Sequence, residues 1–239
     1  MLILVTGFEP FAGDGTNASW EAVRRLPDTL SGGPVTLVRR LLPVSFTRAP
    51  EEIARLVDTL RPDAVVCTGL AATRTSVGVE TTARNTMAAR APDGDGWCPQ
   101  DLPLEAGAPQ VLHTGLPVGR LVAAVAERGV PVSPSGDAGT FVCNATYFSA
   151  LRSLAQTRPG PLPVPVPAVF VHLPPEGVLP TDRAVDALLG VLEECAAELW
   201  APSDRTGTLR HGGARAALLR PVVLPLRRAP RIGVSGGIG

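Results

Sequence analysis

The chain has no lysine; all 22 of its basic residues are arginine. Chemistry built on a lysine amine goes with it, namely Schiff-base catalysis and the usual phosphate-binding loop. Cysteine is scarce. Cys67, Cys98, Cys143 and Cys195 form no CxxC pair and no metal-ligand spacing, so no metal site is expected. Nothing in the sequence asks for a cofactor. The formal net charge is zero, which gives no global field toward nucleic acid or a membrane surface. No apolar run reaches the roughly 18 residues that a membrane span needs. The opening MLILVTGF has too few apolar residues for a signal peptide and no basic region before them. A reduced, cytoplasmic protein is the expectation.

What the chain does have is a core. Hydrophobic residues make up 45% of its 239 positions, enough to bury a substantial interior and too much for disorder of the whole chain. The zero net charge hides an asymmetry. Residues 1–200 carry 15 arginines against 21 acids, and residues 201–239 carry seven arginines against Asp204 alone. From Ala201 the pattern dissolves into arginine, glycine and proline, which reads as a basic, weakly structured tail after one domain over 1–200.

Within 1–200, strand-like and helix-like stretches alternate. LILVT reads as a buried strand that Gly7 breaks, and Asn17 is placed to cap a helix bearing Trp20, Val23 and Leu26. PVTLVRRLLPV is a second strand. APEEIARLVDTL is a helix with Ile53, Leu56, Val57 and Leu60 on one face. DAVVCTG and the threonine- and valine-rich TSVGVETTARN read as strands. Residues 91–110 form a Gly, Pro and Asp-rich loop, long enough for a lid or binding loop. LPVGRLVAAVAERG is a helix closed by Gly129, VPVSPS a short strand, and a further helix opens at Cys143. PAVFVHLP follows a proline-rich connection as another strand. Thr181 is placed to cap a long helix with Val185, Leu188, Leu189 and Leu192 inward. This alternation predicts an α/β fold with a largely parallel sheet covered on both faces.

Three residues stand out chemically. Cys143 sits where a helix begins, and unpaired backbone N–H groups there favour the reactive thiolate. On residue order alone, a lone cysteine beside Phe141 and Val142 is more often a buried structural thiol. His172 ends an apolar strand, where catalytic groups of open α/β sheets gather. The other histidines, His113 and His211, fall in a loop segment and in the tail. Glu80 stands in an otherwise uncharged stretch, and a buried acid needs a partner. Pairing with His172 would orient the imidazole; pairing with Arg74 or Arg84, or facing water, would be structural. The loop GFEPFAG supplies Phe8 and Phe11, which either pack in the core or line an apolar pocket. It lacks the GxGxxG spacing of a dinucleotide site.

Together GFEPFAG with NASWEAV, GLAATRTSVGVETTARN, AGTFVCN and FVHLP resemble, in order and spacing over residues 1–200, the motifs of the pyroglutamyl peptidase I family of cysteine peptidases. The resemblance implies a three-layer α/β/α sandwich, an activity that removes N-terminal pyroglutamyl residues from peptides, and a homo-oligomer, dimer or tetramer. Carried over by position, Cys143 is the nucleophile, His172 the general acid/base and Glu80 its orienting partner. Phe8 and Phe11 match the ring-binding phenylalanines, and Phe141 and Val142 flank the pocket. The backbone of Leu70 matches the position that hydrogen-bonds the lactam. Arg90 matches an arginine near the active site, where it or backbone N–H groups around Cys143 would meet the oxyanion. Thr73-Arg74 stands where the family usually has Gly-Arg. The rival from another class is a non-catalytic α/β domain that binds a small amide or nucleoside-like ligand, with Cys143 as packing. A nucleoside phosphorylase on a similar fold is a third reading, disfavoured because there is no phosphate loop.

Overall fold

Eight strands and five helices account for the ordered pattern in a computed structural model that describes residues 1–30, 33–157 and 167–200. In chain order they are β1 (Leu2–Phe8), α1 (Ala18–Val23), β2 (Thr36–Leu42), α2 (Arg48–Leu60), β3 (Ala64–Leu70), β4 (Val77–Glu80), β5 (Thr82–Arg84), β6 (Val111–His113), α3 (Val118–Glu127), β7 (Val132–Ser135), α4 (Val142–Thr157), β8 (Ala168–Leu173) and α5 (Thr181–Trp200). The expected tail 201–239 and most of the proline-rich connection lie outside the described residues.

Six strands form one sheet in the order β2-β1-β3-β8-β4-β7. The first four run parallel; β4 pairs antiparallel with β8, and β7 parallel with β4. Both faces are covered, which is why the central strands read as continuous apolar runs. Ile3, Val5, Val66, Val169 and Val171 pack into the layer of α1, α3 and α5. Leu4, Val65, Cys67 and Phe170 face α2 and α4 on the other side. The result is the three-layer α/β/α sandwich. Each fully buried Leu, Ile, Val or Phe of these layers contributes roughly 1.5–3 kcal/mol relative to exposure.

Four local expectations are revised. Gly7 does not end β1, which continues to Phe8. A Cβ at Gly7 would stand 2.9 Å from the backbone of Ser19 and from the Cα of Trp20, so this glycine lets α1 cross close over the strand. TSVGVETTARN is two strands broken at Thr81: β4 joins the main sheet, and β5 pairs with β6 in a separate two-stranded sheet. His113, expected in a loop, belongs to β6. Thr181 lies inside α5, and its hydroxyl donates to Glu176 Oε1 at 2.6 Å. Asn17 does cap α1, accepting from Ser19 N–H at 3.1 Å, and Gly129 closes α3 with φ 70°.

Cys67 and Cys195 are fully buried packing residues, and burial pushes both thiols up to about 12 from an ordinary 9.0. At neutral pH the folded and unfolded chains both hold these protons. Above about 9 the unfolded chain loses them while the folded chain keeps them, so the unfolded state binds fewer protons and stability falls as pH rises toward about 12. Each thiol contributes at most about 1.4 kcal/mol per pH unit to that slope. Cys195→Ala is expected to flatten it by up to this amount in urea unfolding across the window. An unchanged slope would show that the thiol is not held protonated by the fold.

Candidate active site

The motif GTFVCN builds the site residue by residue. Gly139 turns the chain with φ 78°. Thr140 pins the turn, donating from Oγ1 to Ala88 O at 2.9 Å and accepting Ala88 N–H on its own carbonyl at 3.0 Å. Phe141 and Val142 line a cavity, and Cys143 is the second residue of α4. Asn144 is fully buried. Its Nδ2 donates to Arg84 O at 2.8 Å and to Thr86 O at 2.9 Å, and its Oδ1 accepts from Arg84 N–H at 2.8 Å. The start of α4 is thereby strapped to the 84–88 segment.

The thiol of Cys143 lies over Gly69 at the carboxyl end of β3. A Cβ on Gly69 would stand 2.8 Å from Cys143 Sγ and 2.8 Å from Phe170 Cζ. Across the parallel ladder Gly69 is the register partner of His172. Residues paired in register share a face, so His172 projects on the same side as α4 and Cys143. The ring packs on Phe170 at 4.7 Å between centroids. Its Nδ1 meets Glu80 Oε1 at 2.8 Å, with the carboxylate fully buried and the imidazole nearly so. Glu80 also pairs with Arg74: Nη2 donates to the same Oε1 at 2.7 Å. Of the three partners weighed from the sequence, His172 and Arg74 are present and Arg84 is not; its nearest acid is Asp137 at 3.8 Å. Tyr147, one turn after Cys143, donates its hydroxyl to Glu80 O at 3.1 Å, tying the acid's strand to the cysteine's helix.

Electrostatics modify one expectation. The helix terminus favours thiolate, but burial outweighs it and, with Cys67 and Glu80 adding to the effect, pushes the Cys143 thiol up to about 12. The shift favours the protonated thiol at neutral pH.

Beside the thiol lies a cavity of about 250 Å³ lined by Phe8, Phe11, Leu70, Phe141, Val142 and Cys143, with Val44, Ala72 and the exposed Asp14 and Thr16 among its other walls. Phe11 and Phe141 meet at 5.8 Å, and Phe46 packs edge-on behind Phe141 at 5.1 Å. The backbone of Phe8 is fixed by Ser19 Oγ, which accepts its N–H at 3.0 Å. Arg90 is exposed and does not line this cavity. Residues 91–110 do not line it either. They are an anchored wall: buried Asp93 accepts N–H bonds from Phe46, Asp95 and Trp97, and Trp97 packs edge-on against Phe46 at 5.9 Å. Sequence reading missed Ala12, Asp14, Thr16, Val44 and Ala72. They are ordinary residues brought together from separate loops, with no pattern of their own.

Among the described residues no group of three His, Cys, Asp or Glu side chains is placed to hold a metal, and no helix is long and apolar enough to cross a membrane.

A thiol lining a strand-end cavity, on the sheet face that also carries a buried imidazole–carboxylate pair, is an arrangement suited to a cysteine hydrolase on an α/β/α scaffold. The family model described as Pyroglutamyl peptidase matches residues 1–192. The pyrrolidone-carboxylate peptidase of Thermococcus onnurineus is 41% identical over 176 residues, covering 72% of this chain and 85% of that protein. That of Pseudomonas fluorescens is 39% identical over 204 residues, covering 83% and 92%. The crystal structure of pyroglutamyl peptidase I from Bacillus amyloliquefaciens superposes with a TM-score of 0.75 at 31% identity, over 83% of this chain and 96% of that one. The pyrrolidone carboxyl peptidase of Pyrococcus furiosus gives 0.76 at 29% identity, over 83% and 100%. The chain belongs to the pyroglutamyl peptidase family. It is an omega peptidase of the cysteine type, a hydrolase that removes pyroglutamate.

Proposed function

We propose that the chain cleaves the amide bond after an N-terminal pyroglutamyl residue through a Cys143–His172–Glu80 triad and a thioester intermediate. The observation that carries this reading is the 2.8 Å contact of His172 Nδ1 with buried Glu80, on the face where Cys143 Sγ lies over Gly69. With Glu80 ionised, Nδ1 carries the imidazole proton and Nε2 keeps its lone pair. As Sγ attacks the acyl carbon, its proton passes to Nε2. The carbon–nitrogen bond then breaks and His172 returns the proton to the leaving amine. Water, deprotonated by His172, attacks the thioester; the carbon–sulfur bond breaks, the thiol regains its proton and pyroglutamate departs.

The cavity accounts for the choice of substrate. At about 250 Å³ it falls below the roughly 300–1,000 Å³ that enclose drug-sized ligands, and suits one small residue. A lactam ring carries no charge and can bury its methylenes between Phe8, Phe11 and Phe141, with the backbone at Leu70 available to its amide. A charged N-terminus loses its hydration among those rings. The oxyanion falls to backbone N–H groups at the start of α4, which a helix leaves without intrahelical partners, while Arg90 does not line the cavity.

The test is release of a fluorescent amine from pyroglutamyl, alanyl and prolyl amides in reducing buffer, with and without iodoacetamide. Turnover of the pyroglutamyl amide alone, lost on alkylation, is expected. Turnover of the prolyl amide, or none of any, would sink the reading.

A further inference from the structure

The acid of the triad has a second partner that the reaction just described does not use. Glu80 Oε1 accepts from Arg74 Nη2 at 2.7 Å and from His172 Nδ1 at 2.8 Å, while Oε2 has no hydrogen-bond partner among the described residues. A neutral imidazole gives this buried carboxylate a hydrogen bond but no charge. The guanidinium supplies the charge, without which a fully buried carboxylate is costly.

The same Nη2 reaches Ser135 Oγ at 3.0 Å and Asp137 O at 3.4 Å. Ser135 ends β7, and Asp137 lies in the turn that leads to Gly139 and Cys143. One guanidinium thus joins the β3–β4 connection, the triad acid and the approach to the nucleophile's helix. The strand beneath it is shaped to receive it. A Cβ at Gly78 would stand 1.9 Å from Arg74 Nη1 and 2.8 Å from its Cζ, so only a residue without a side chain leaves the guanidinium its place. Gly78 is also the register partner of His172.

We propose that Arg74 is a positioning residue for the Glu80–His172 pair, holding Oε1 in line with the imidazole through its charge and its reach to the β7 end. The proposal rests on the triad reading above. Without the guanidinium, Glu80 has lost both its counter-charge and one of the two donors that fix Oε1. The imidazole then loses its alignment while the cavity, to which Arg74 does not contribute, is untouched.

Arg74→Ala is expected to lower kcat by roughly 10- to 100-fold, by analogy with the loss of outer hydrogen-bond partners that orient metal-bound histidines, with KM for the pyroglutamyl amide changed by less than about threefold. Arg74→Lys should recover part of the rate. Guanidinium ion, well below denaturing concentration, should restore part of the activity of Arg74→Ala and none of Glu80→Gln. Gly78→Ala, which keeps the arginine but takes its space, should show the same kcat-selective loss without rescue.

The companion readout is the alkylation rate of Cys143 by iodoacetamide, followed by mass on its own peptide. It needs no substrate. In Arg74→Ala it should fall about tenfold and rise again with guanidinium. Failure of the parent enzyme to hydrolyse pyroglutamyl amides would overturn the proposed function, and the alkylation rates would still decide the role of Arg74. A parent-like kcat and alkylation rate in Arg74→Ala would overturn the positioning role. So would a loss tracking a lowered unfolding midpoint that guanidinium does not relieve, because that is the signature of a structural arginine.

Discussion

In a Cys143→Ala variant, hydrolysis of a pyroglutamyl amide is expected to fall to near background, a loss of roughly 10⁴-fold or more. The argument is geometric before it is chemical. The thiol lines the cavity that holds the aromatic side chains, lies over Gly69, and shares a face with the His172–Glu80 pair. Cys67 and Cys195 are sealed in the core, and Cys98 donates to Ala89 O at 3.4 Å outside the cavity. Cys98→Ala and Cys195→Ala therefore serve as controls that should keep their kcat. His172→Ala should lose nearly as much as Cys143→Ala, and the double variant little more, because members of one catalytic unit are not additive. Glu80→Gln should lose less than His172→Ala, since it disturbs orientation and leaves the base. Steady-state rates on purified variants, with the unfolding midpoint as a check on folding, decide this. Retained turnover by Cys143→Ala would remove it as nucleophile.

Gly69→Ala is expected to cost activity out of proportion to stability. The added Cβ would stand 2.8 Å from Cys143 Sγ and from Phe170 Cζ, closer than a carbon atom is tolerated, and both neighbours are side chains held by packing. Overpacking of this kind costs about 1–3 kcal/mol of stability. The displaced atom is the proposed nucleophile, however, and a misplacement on the order of 1 Å lowers rates by about 100-fold. The expected pattern is a folded protein with a kcat reduced to about a hundredth. A parent-like kcat would mean that the thiol is not held against β3 and finds its attack position by moving.

The alternation of strands and helices was legible in the sequence because both sheet faces are covered. Such strands read as unbroken apolar runs, as in LILVT and AVFVH, and the helices between them show an apolar face. Where two requirements met in one residue, the reading failed. Gly7 looks like a strand breaker because nothing local reports that α1 crosses there. The break at Thr81 is invisible because VGVE and TAR are equally good strands, and only their different partners, β8 and β6, separate them. Of the site, the cysteine, histidine and glutamate stood out because each is chemically odd in its surroundings. Phe8 and Phe11 were readable as possible pocket residues in GFEPFAG, while Leu70, Phe141 and Val142 came through motif resemblance and Val44 and Ala72 not at all. Arg74 was visible only as one of several possible partners for Glu80, since the groove that seats it is made by the absence of a side chain at Gly78.

Under the proposed mechanism, the antiparallel pairing of β4 with β8 makes activity a measure of correct assembly. Glu80 sits opposite Phe170 and Gly78 opposite His172, so the acid reaches the imidazole diagonally across two strands. A slip of β4 by one residue would turn Glu80 to the opposite face, among the aliphatic side chains of the α1, α3 and α5 layer. Such a molecule could keep most of its sheet and its spectroscopic signature and still lose the Glu80–His172 contact on which the proposed mechanism depends. Specific activity per folded molecule therefore audits the fidelity of strand registration, something that a melting curve alone does not see.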